Sequence, residues 1–403
     1  MLSEDAIDNL VQPIVDRQES INMMVITKIA ERLKEIGTLN PSDIDKLNKL
    51  AIMGSDIREI NKEISRISGI QVSDIKSVIK TVAQESYRDA KPFYDYRHKS
   101  YIPFEKNEKL QQIVRAVGKE TAYNYTNLSN SKATGFMIRD PKNPLKLHFR
   151  TINDTYKQVI DEAVQAAHSG VVDTRTAINR AIKQLLDSGI RRMYWDSGYT
   201  QRLDTAVRRN VLDGIRAIDQ QIQDETGRQF RSDGKELSAH SNSAPDHEPF
   251  QGHIFTNMEW NNLQSSMDFK DIDGESFTGV DRIIGVWNCH HVAYSIIIGA
   301  QPPRYTKEQL QKMKDDNAKG VTLKNGRHLS GYECTQMQRR LETRIRYAKE
   351  EQMAMRELGD KDAAKRARAR VRELTNEYKS FSKSVKLPVK KDRISVPGYI
   401  YQI

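Results

Sequence analysis

Residues 236–260 read ELSAHSNSAPDHEPFQGHIFTNMEW, and residues 285–299 read GVWNCHHVAYSIIIG. Together with the polar segment between them, these stretches hold five of the nine histidines and one of the two cysteines, so most of the site-like chemistry lies here. Pro245 and Pro249 bound a turn, and the sequence from His253 to Thr256 favours a strand. This combination of turn and strand patterns beside helical sequence predicts a small α+β module over residues 236–300.

The histidines and the cysteine of this module are candidate metal ligands, because imidazole and thiolate are donors that Zn²⁺ prefers in proteins. The candidates are His240, His247, Cys289 and His291. One interpretation is a structural zinc site, with Zn²⁺ as the candidate cofactor. The paired CxxC spacing that is typical of many structural zinc sites is absent, since only one residue separates Cys289 from His291.

A second interpretation is an HNH-like metal-dependent nuclease. Asp246-His247, then Asn262, then Cys289 to His291 follow the order of that motif, and His247 would be the catalytic general base. The gap after Asn262 is longer than a compact ββα-metal unit predicts. A third interpretation needs no catalytic residue and no cofactor, because buried polar side chains usually form hydrogen bonds that only maintain shape. We adopt the third and predict a protein that is not an enzyme, with the other two left open.

The composition limits which fold classes and which partners are expected. Of 403 residues, 29% are charged and 37% are hydrophobic, which favours two or three domains built largely from surface-rich helices. The longest mostly apolar run, Val292–Gly299, is too short to cross a bilayer, so no membrane anchor is expected. Two cysteines provide no disulfide framework. The net charge of +10 favours an anionic partner such as a nucleic acid.

Helical periodicity dominates the rest of the chain and predicts a mainly α fold. Within the N-terminal part, Ile57–Ile67 and Val72–Ala83 read as separate short amphipathic helices, whereas Lys132–Phe149 reads as a loop with Pro141 and Pro144. The predicted organisation is an N-terminal helical segment suited to docking (1–88), a central helical region (89–235), the α+β module (236–300), a polar connector (301–330), a helical hairpin or coiled coil (331–383) and an extended tail (384–403).

The predicted C-terminal hairpin has an apolar seam and a basic outer surface. Ala367, Val371, Leu374, Tyr378 and Phe381 follow the alternating four- and three-residue spacing of a coiled coil. Arginines four residues apart lie on one side of a helix and can meet successive phosphates, although glutamates interrupt the surface and a solvated face is the alternative. The candidate DNA contacts are Arg340, Arg344, Arg366, Arg368 and Arg370.

Several stretches carry a family resemblance through their order and spacing. They are Asn107-Glu108-Lys109-Leu110, Asn127-Leu128-Ser129, HSGVVDTRTAINRAIKQLLDSGI (168–190), YWDSGYTQRLDTAVRRNVLDGI (194–215), ELSAHSNSAPDHEPFQGHIF (236–255), WNCHH (287–291) and the stretch from YECTQ to YKSF (332–381). Over roughly three quarters of its length, the chain resembles the tailed-phage minor capsid protein 2 family, which is related to the Mu F-like head-morphogenesis proteins. It departs from the family pattern at Ala244, where an arginine is usual, and at Phe250, where a tryptophan is usual.

The resemblance implies a structural minor head protein of a tailed bacteriophage. Such a protein would be associated with the portal or the capsid interior of the virion, would reside in the host cytoplasm during assembly, and would act in head assembly and in DNA packaging or ejection. Its partners would be the portal protein, other head proteins and packaged DNA, which it would contact without sequence preference. A virion-carried effector is a further alternative, but the chain is expected to leave no room for a toxin domain after the C-terminal helices.

Overall fold

The protein is mainly α-helical with small antiparallel sheets, which confirms the predicted fold class. The structure is a computed structural model, and it describes residues 2, 4–38, 49–140, 143–169, 174–194, 196–270, 274–280, 283–285, 289, 291–323 and 326–399. The helices are α1 (Glu4–Thr38), α2 (Lys49–Arg88), α3 (Lys91–Tyr96), α4 (Glu108–Leu128), α5 (Ile152–Ser169), α6 (Thr174–Ser188), α7 (Leu203–Phe230), α8 (Asn257–Gln264), α9 (Lys307–Lys319), α10 (Gly331–Glu357) and α11 (Lys361–Ser384).

The strands are short and form separate sheets. They are β1 (Thr134–Asp140), β2 (Asn143–Thr151), β3 (Arg191–Tyr194), β4 (Tyr199–Arg202), β5 (Gly234–Leu237), β6 (Ile254–Thr256), β7 (Phe269–Lys270), β8 (Ser276–Phe277), β9 (Ala293–Ile296), β10 (Val321–Thr322) and β11 (His328–Leu329). Short 3₁₀ turns lie at Phe104–Lys106, Glu248–Phe250 and Asp392–Ile394.

The largest hydrophobic core lies between α1, α2, α4 and α7. Ile26, Ile79 and Val211 are fully buried there, one from each of three helices. Helices α4 and α7 come close together at Gly214, where an added Cβ would lie 2.4 Å from Thr121 Oγ1. A side chain at this position would push the two helices apart, because a packed core has no spare volume.

Helix α2 corrects the prediction of two short helices at Ile57–Ile67 and Val72–Ala83, since both segments belong to one continuous helix. Gly69 lies between them on the exposed side, and the buried face continues past it from Ile67 to Ile75. A glycine in a helix costs about 1 kcal/mol. Burial of a continuous apolar stripe offsets that cost, because helices in proteins are stabilised mainly by tertiary packing.

A four-stranded antiparallel sheet in the order β2-β1-β3-β4 lies within the central region. The prediction that Lys132–Phe149 is a loop was wrong, because β1 and β2 pair along most of this segment. Pro144 is tolerated near the start of β2 because that strand lies at the edge of the sheet, where a missing N–H costs little. Phe136 and Ile138 of β1 are buried in the helical core.

The predicted α+β module contains a second antiparallel sheet, in the order β6-β5-β9. Its hydrophobic core is separate from the main one and surrounds Phe255, which is fully buried. Phe269 and Phe277, from the small β7–β8 pair, stack on each other and pack edge-on against Phe255. Because β5 is the central strand, the segments that flank β6 and precede β9 are held close together.

The C-terminal helices α10 and α11 pack on each other through Leu341, Ile345, Val371, Leu374 and Tyr378. A short connection, residues 358–360, joins them. Their description as a hairpin or coiled coil stays a prediction.

The described part of the tail contains the 3₁₀ turn at 392–394 and no strand. The segment predicted as a polar connector contains α9.

None of the helices that the structure describes is long and apolar enough to span a bilayer.

Candidate functional site

His247 is placed by a tight turn at the end of the loop that follows β5. The backbone N–H groups of His247 and Glu248 both donate to the carbonyl of Ala244, at 3.1 and 3.0 Å, and the N–H of Phe250 donates to the carbonyl of His247 at 3.2 Å. Pro249 is the second residue of the 3₁₀ turn, where its fixed φ suits the helical conformation and its missing N–H costs little. The turn points His247 inward, and its side chain is almost fully buried.

Cys289 and His291 come from the segment that leads into β9. The N–H of Val292 donates to Ser238 Oγ at 2.9 Å, and the N–H of Ser238 donates to the carbonyl of Val292 at 2.8 Å. These bonds extend the β5–β9 pairing by one step and fix the segment beside the loop after β5. Cys289 and His291 are both buried. Residues 42 positions apart in the chain are thereby brought into contact.

The two imidazoles and the thiol form a compact cluster. Cys289 Sγ lies 3.3 Å from His247 Nδ1 and 3.5 Å from His291 Nδ1. The ligand atoms of all three residues lie within 4.8 Å of one another. The backbone N–H of His291 also donates to Cys289 Sγ, at 3.4 Å. The sulfur is therefore surrounded by nitrogen atoms on three sides, and we name these three residues the His–Cys cluster.

The outer nitrogen of each imidazole faces oxygen. His291 Nε2 lies 3.5 Å from Gln251 Oε1 and 3.5 Å from Ser243 Oγ. His247 Nε2 lies 3.8 Å from the carboxylate of Asp246. The orientation of the Gln251 amide is set by the backbone N–H of His240, which donates to the same Oε1 at 3.1 Å. Both rings thus present Nδ1 to the sulfur and Nε2 to oxygen acceptors.

The electrostatics of the cluster favour a thiolate at Cys289. Burial acts to raise the pKa of the thiol, but the contact with His247 and the backbone N–H groups of Gly285 and His291 act in the opposite direction, and the net pKa is lowered. The other cysteine, Cys334, has a raised pKa because burial and the nearby carboxylate of Glu333 both disfavour its charged form. The two buried cysteines therefore differ in chemistry.

The three residues of the His–Cys cluster line a cleft of about 820 Å³. Other residues of the α+β module, among them His240 and Asp246, also line it, and the rest of the lining comes from α10, the tail and Asp8 of α1. The charged residues in that remaining part of the lining are Asp8, Arg339, Glu342, Lys390 and Arg393. The residues of the cluster are thus largely buried and border a polar cleft where three parts of the chain meet.

The candidate DNA contacts lie on the outer surfaces of α10 and α11, away from the apolar seam. Arg340, Arg344, Arg366, Arg368 and Arg370 are all exposed. Carboxylates lie near some of these side chains: Arg344 is 3.6 Å from Glu377 and Arg370 is 2.9 Å from Glu373. The spacing and exposure that the DNA hypothesis requires are therefore present, with part of the charge neutralised locally.

The family model for phage minor capsid protein 2 matches residues 2–383. The chain belongs to the phage minor capsid protein 2 family. A search of curated proteins and a search of solved structures each returned no match. As a member of this family the protein is a structural capsid component of a bacteriophage, it is expected in the virion, and other phage head proteins are its expected partners.

The His–Cys cluster joins two of the motifs on which the resemblance to minor capsid protein 2 rests. His247 comes from the first of them, and Cys289 and His291 come from WNCHH. The two departures from the family pattern leave the turn intact. Ala244 takes part through its backbone carbonyl, and Phe250 is buried in the core of the module, with its ring 5.8 Å from that of Phe277.

The structure separates the candidate metal ligands of this minor capsid protein into two groups. His247, Cys289 and His291 converge, whereas His240 lies beside them, its ring centroid 4.5 Å from that of His291 and its Nδ1 3.3 Å from the carbonyl of Ser241. His253 packs on Phe255 and Phe277 instead. His290 lies outside the described residues.

Asn262, which the HNH interpretation places in the site, lies on α8 and is absent from the described residues that line the cleft. Two residues of the site were missed from the sequence, namely Ser243 and Gln251. Neither residue type is unusual in a loop, and only the turn that brings both against His291 gives them a role.

Proposed function

We propose that this minor capsid protein acts in head assembly at the portal vertex or the capsid interior. There it would bind the portal and other head proteins, contact packaged DNA without sequence preference, and take part in packaging or ejection. Before assembly it would reside in the host cytoplasm. Family membership supports the structural role. The single structural observation that supports the proposed position in the capsid interior is the exposed basic surface of α11.

That surface is dense in positive charge. Helix α11 carries eight basic residues and three acidic ones, and its basic residues are exposed on the outer side. Arg366 and Arg370 lie one turn apart, as do Arg368 and Arg372, while Val371 and Leu374 face the seam with α10. Guanidinium groups at successive turns can neutralise successive phosphates, and the released counterions drive binding that needs no base recognition.

The DNA contact is tested by reversing Arg366, Arg368 and Arg370 to Glu together. We expect the variant to lose retention on DNA at low salt, and the dependence of log K on log salt to become shallower by roughly 2 to 3, since each phosphate contact contributes about 0.9. The matched control reverses Lys312, Lys314 and Lys319, which are exposed on α9, and changes the net charge equally. If both variants bind DNA as tightly as the parent, or lose binding equally, α11 is not the contact surface.

The portal association is tested in purified empty procapsids. We expect this protein to remain bound when portal is extracted from them, at a fixed ratio of the two proteins. Empty procapsids are the appropriate sample because DNA cannot then bridge the two. Recovery of portal without this protein would overturn the proposed position at the portal vertex.

A further inference from the structure

We propose that the His–Cys cluster is a Zn²⁺ site. The ligands are His247 Nδ1, Cys289 Sγ and His291 Nδ1, and the fourth position faces the cleft and is taken by water. Three protein ligands with one exchangeable position form a recognised class of zinc coordination. This inference rests on the geometry of the cluster and is independent of the proposed role in head assembly.

The spacing of the ligand atoms fits tetrahedral coordination. With Zn–S about 2.3 Å and Zn–N about 2.0 to 2.1 Å, a tetrahedral ion holds its sulfur and nitrogen ligands about 3.5 Å apart. The two distances from Cys289 Sγ to the imidazole Nδ1 atoms are 3.3 and 3.5 Å. Since all three ligand atoms also lie within 4.8 Å of one another, one ion can be shared among them.

The contacts of the two imidazoles allow Nδ1 of each to act as a metal ligand. His291 Nε2 faces the oxygen of Gln251, which favours the tautomer with its proton on Nε2. The Asp246 carboxylate, 3.8 Å from His247 Nε2, favours the same tautomer for His247 when a metal is bound. In the metal-free protein His247 Nδ1–H can instead donate to the thiolate, and a bound cation would replace that proton and accept electron pairs from all three ligand atoms.

The surroundings of the ligands match those of metal-binding residues. A metal-bound imidazole usually donates its other N–H to a carboxylate or an amide oxygen, which fixes the ring and its tautomer. Gln251 provides such an acceptor for His291, and the carboxylate of Asp246 lies 3.8 Å from His247 Nε2 on the corresponding side of the other ring. The backbone N–H of His291 donates to the sulfur and stabilises the thiolate form that a metal requires. A thiolate and two imidazoles favour Zn²⁺ over Mg²⁺ or Ca²⁺, which prefer oxygen.

Zinc would also join two loops across the central strand of the module. His247 lies in the turn before β6, while Cys289 and His291 precede β9, and both strands pair with β5. One ion bonded to both segments closes a loop of the chain between them. The free energy of zinc binding then adds to the stability of the module, because the unfolded chain does not hold these ligands together.

The first test is the metal content of the full chain. We expect about one zinc ion per chain by elemental analysis after purification from zinc-supplemented medium and extensive dialysis. Replacement by Co²⁺ should give visible bands of a tetrahedral site together with a sulfur-to-cobalt charge-transfer band in the near ultraviolet. This spectrum needs no variant. A chain that takes up neither metal, or a cobalt form without the charge-transfer band, overturns the proposal.

The second test compares the two buried cysteines. Cys289→Ser should lose the charge-transfer band and weaken zinc binding at least tenfold, whereas the matched Cys334→Ser should keep both. Likewise His247→Ala should lose the metal while His253→Ala and His240→Ala retain it. Circular dichroism establishes that each variant is folded. Retention of stoichiometric zinc by Cys289→Ser, or loss of zinc in His240→Ala, overturns the assigned ligand set.

The third test concerns Gln251 as a positioning residue. Gln251→Ala removes the acceptor for His291 Nε2 and should weaken zinc binding about 10- to 100-fold, measured by competition with a chromophoric chelator. Gln251→Glu keeps an oxygen acceptor at that place and should restore the affinity. Equal affinities of the parent and Gln251→Ala would show that this contact does not orient the ligand.

Discussion

Two clusters of buried polar side chains differ in the contacts that their members make. In the helical body, Glu19, Arg202, Asp204, Arg346 and Glu350 form what we name the buried ion network. Arg346 lies 2.9 Å from Glu19 and 3.9 Å from Asp204, and Arg202 lies 3.4 Å from Asp204 and 3.7 Å from Glu350. Each acid there has at least one basic partner within the protein.

The His–Cys cluster instead gathers three groups that can all donate an electron pair. Its charge is not balanced by an arginine or lysine in contact with the sulfur among the contacts that the structure describes. The ion network joins α1, the start of α7 and α10, so its partners serve packing between helices. Burial alone therefore does not identify a functional site, whereas convergence of like electron-pair donors on one point indicates a ligand.

The largest expected effect comes from breaking the ion network. Arg202→Met keeps most of the side-chain volume but leaves Asp204 and Glu350 buried without this cation. We expect a loss of about 3 to 5 kcal/mol in the free energy of unfolding, because an uncompensated charge in the interior is strongly destabilising. Urea unfolding followed by circular dichroism measures the change.

An exposed pair provides the matched control for this variant. Arg228 lies 2.6 Å from Glu225, and its side chain is 70% exposed. Arg228→Met should change the free energy of unfolding little, since surface ion pairs contribute little to stability. If Arg202→Met is no more destabilising than Arg228→Met, the network does not stabilise the packing of α1, α7 and α10.

The next effect is a dependence of stability on pH that arises at Glu19. Burial raises the pKa of Glu19 to about 8, and the neighbouring acids Asp204, Glu350 and Asp16 add to this. Arg346 opposes the shift, but it is shared with Asp204 and does not outweigh burial. The folded protein therefore keeps the proton at pH values where the unfolded chain has already released it, and stability should fall as pH rises from about 5 to 8.

Glu19→Gln tests this assignment, because it cannot ionise. The variant should gain stability relative to the parent as pH rises through the same range, and the difference should level off above pH 8. The measurement is urea unfolding of both proteins at pH 5, 6, 7 and 8. Parallel pH profiles for the two proteins would show that Glu19 ionises in the folded state as it does in the unfolded state.

The sequence predicts the helices well because the spacing of apolar residues within a helix is a local pattern. It predicts the two buried clusters poorly because each depends on contacts between residues that are far apart in the chain. Apolar spacing predicts the mainly α fold, although it divides α2 into two helices. The antiparallel pairing of β1 with β2 was missed because Pro141 and Pro144 favour a loop, and the edge position that permits Pro144 is visible only in the folded sheet.

The two clusters differ in what the sequence reveals of them. Histidine and cysteine are rare enough for His247, Cys289 and His291 to be recognised as candidates, but His240 and His253 look equivalent until the turn separates them. Glu19 and Glu350 lie in charged helices and resemble surface residues. Their burial follows from contacts between helices that are more than 300 residues apart in the chain, as in the bond from Asn22 to Glu350.

A smaller effect distinguishes the two cysteines in the chelator-treated protein. Because the pKa of Cys289 is lowered by His247 and backbone N–H groups while burial raises that of Cys334, Cys289 should ionise at lower pH. Thiolate absorbance in the ultraviolet, followed against pH in Cys334→Ser and in Cys289→Ser, reports each residue separately. Coincident titration curves would mean that the nitrogen atoms around Cys289 do not stabilise its thiolate.

The smallest expected effect is on DNA cleavage, where we predict none above background with Mg²⁺, Mn²⁺ or Zn²⁺. The donors at the His–Cys cluster are soft, whereas nucleases that use Mg²⁺ hold it mainly with oxygen ligands. Asn262 lies on α8, and the described lining of the cleft does not include it. Incubation of supercoiled plasmid with the full chain and each metal, followed by gel electrophoresis, measures cleavage. Nicking that disappears in His247→Ala but persists in His253→Ala would replace the structural interpretation of the cluster with the HNH-like nuclease, and His247 would then be its general base.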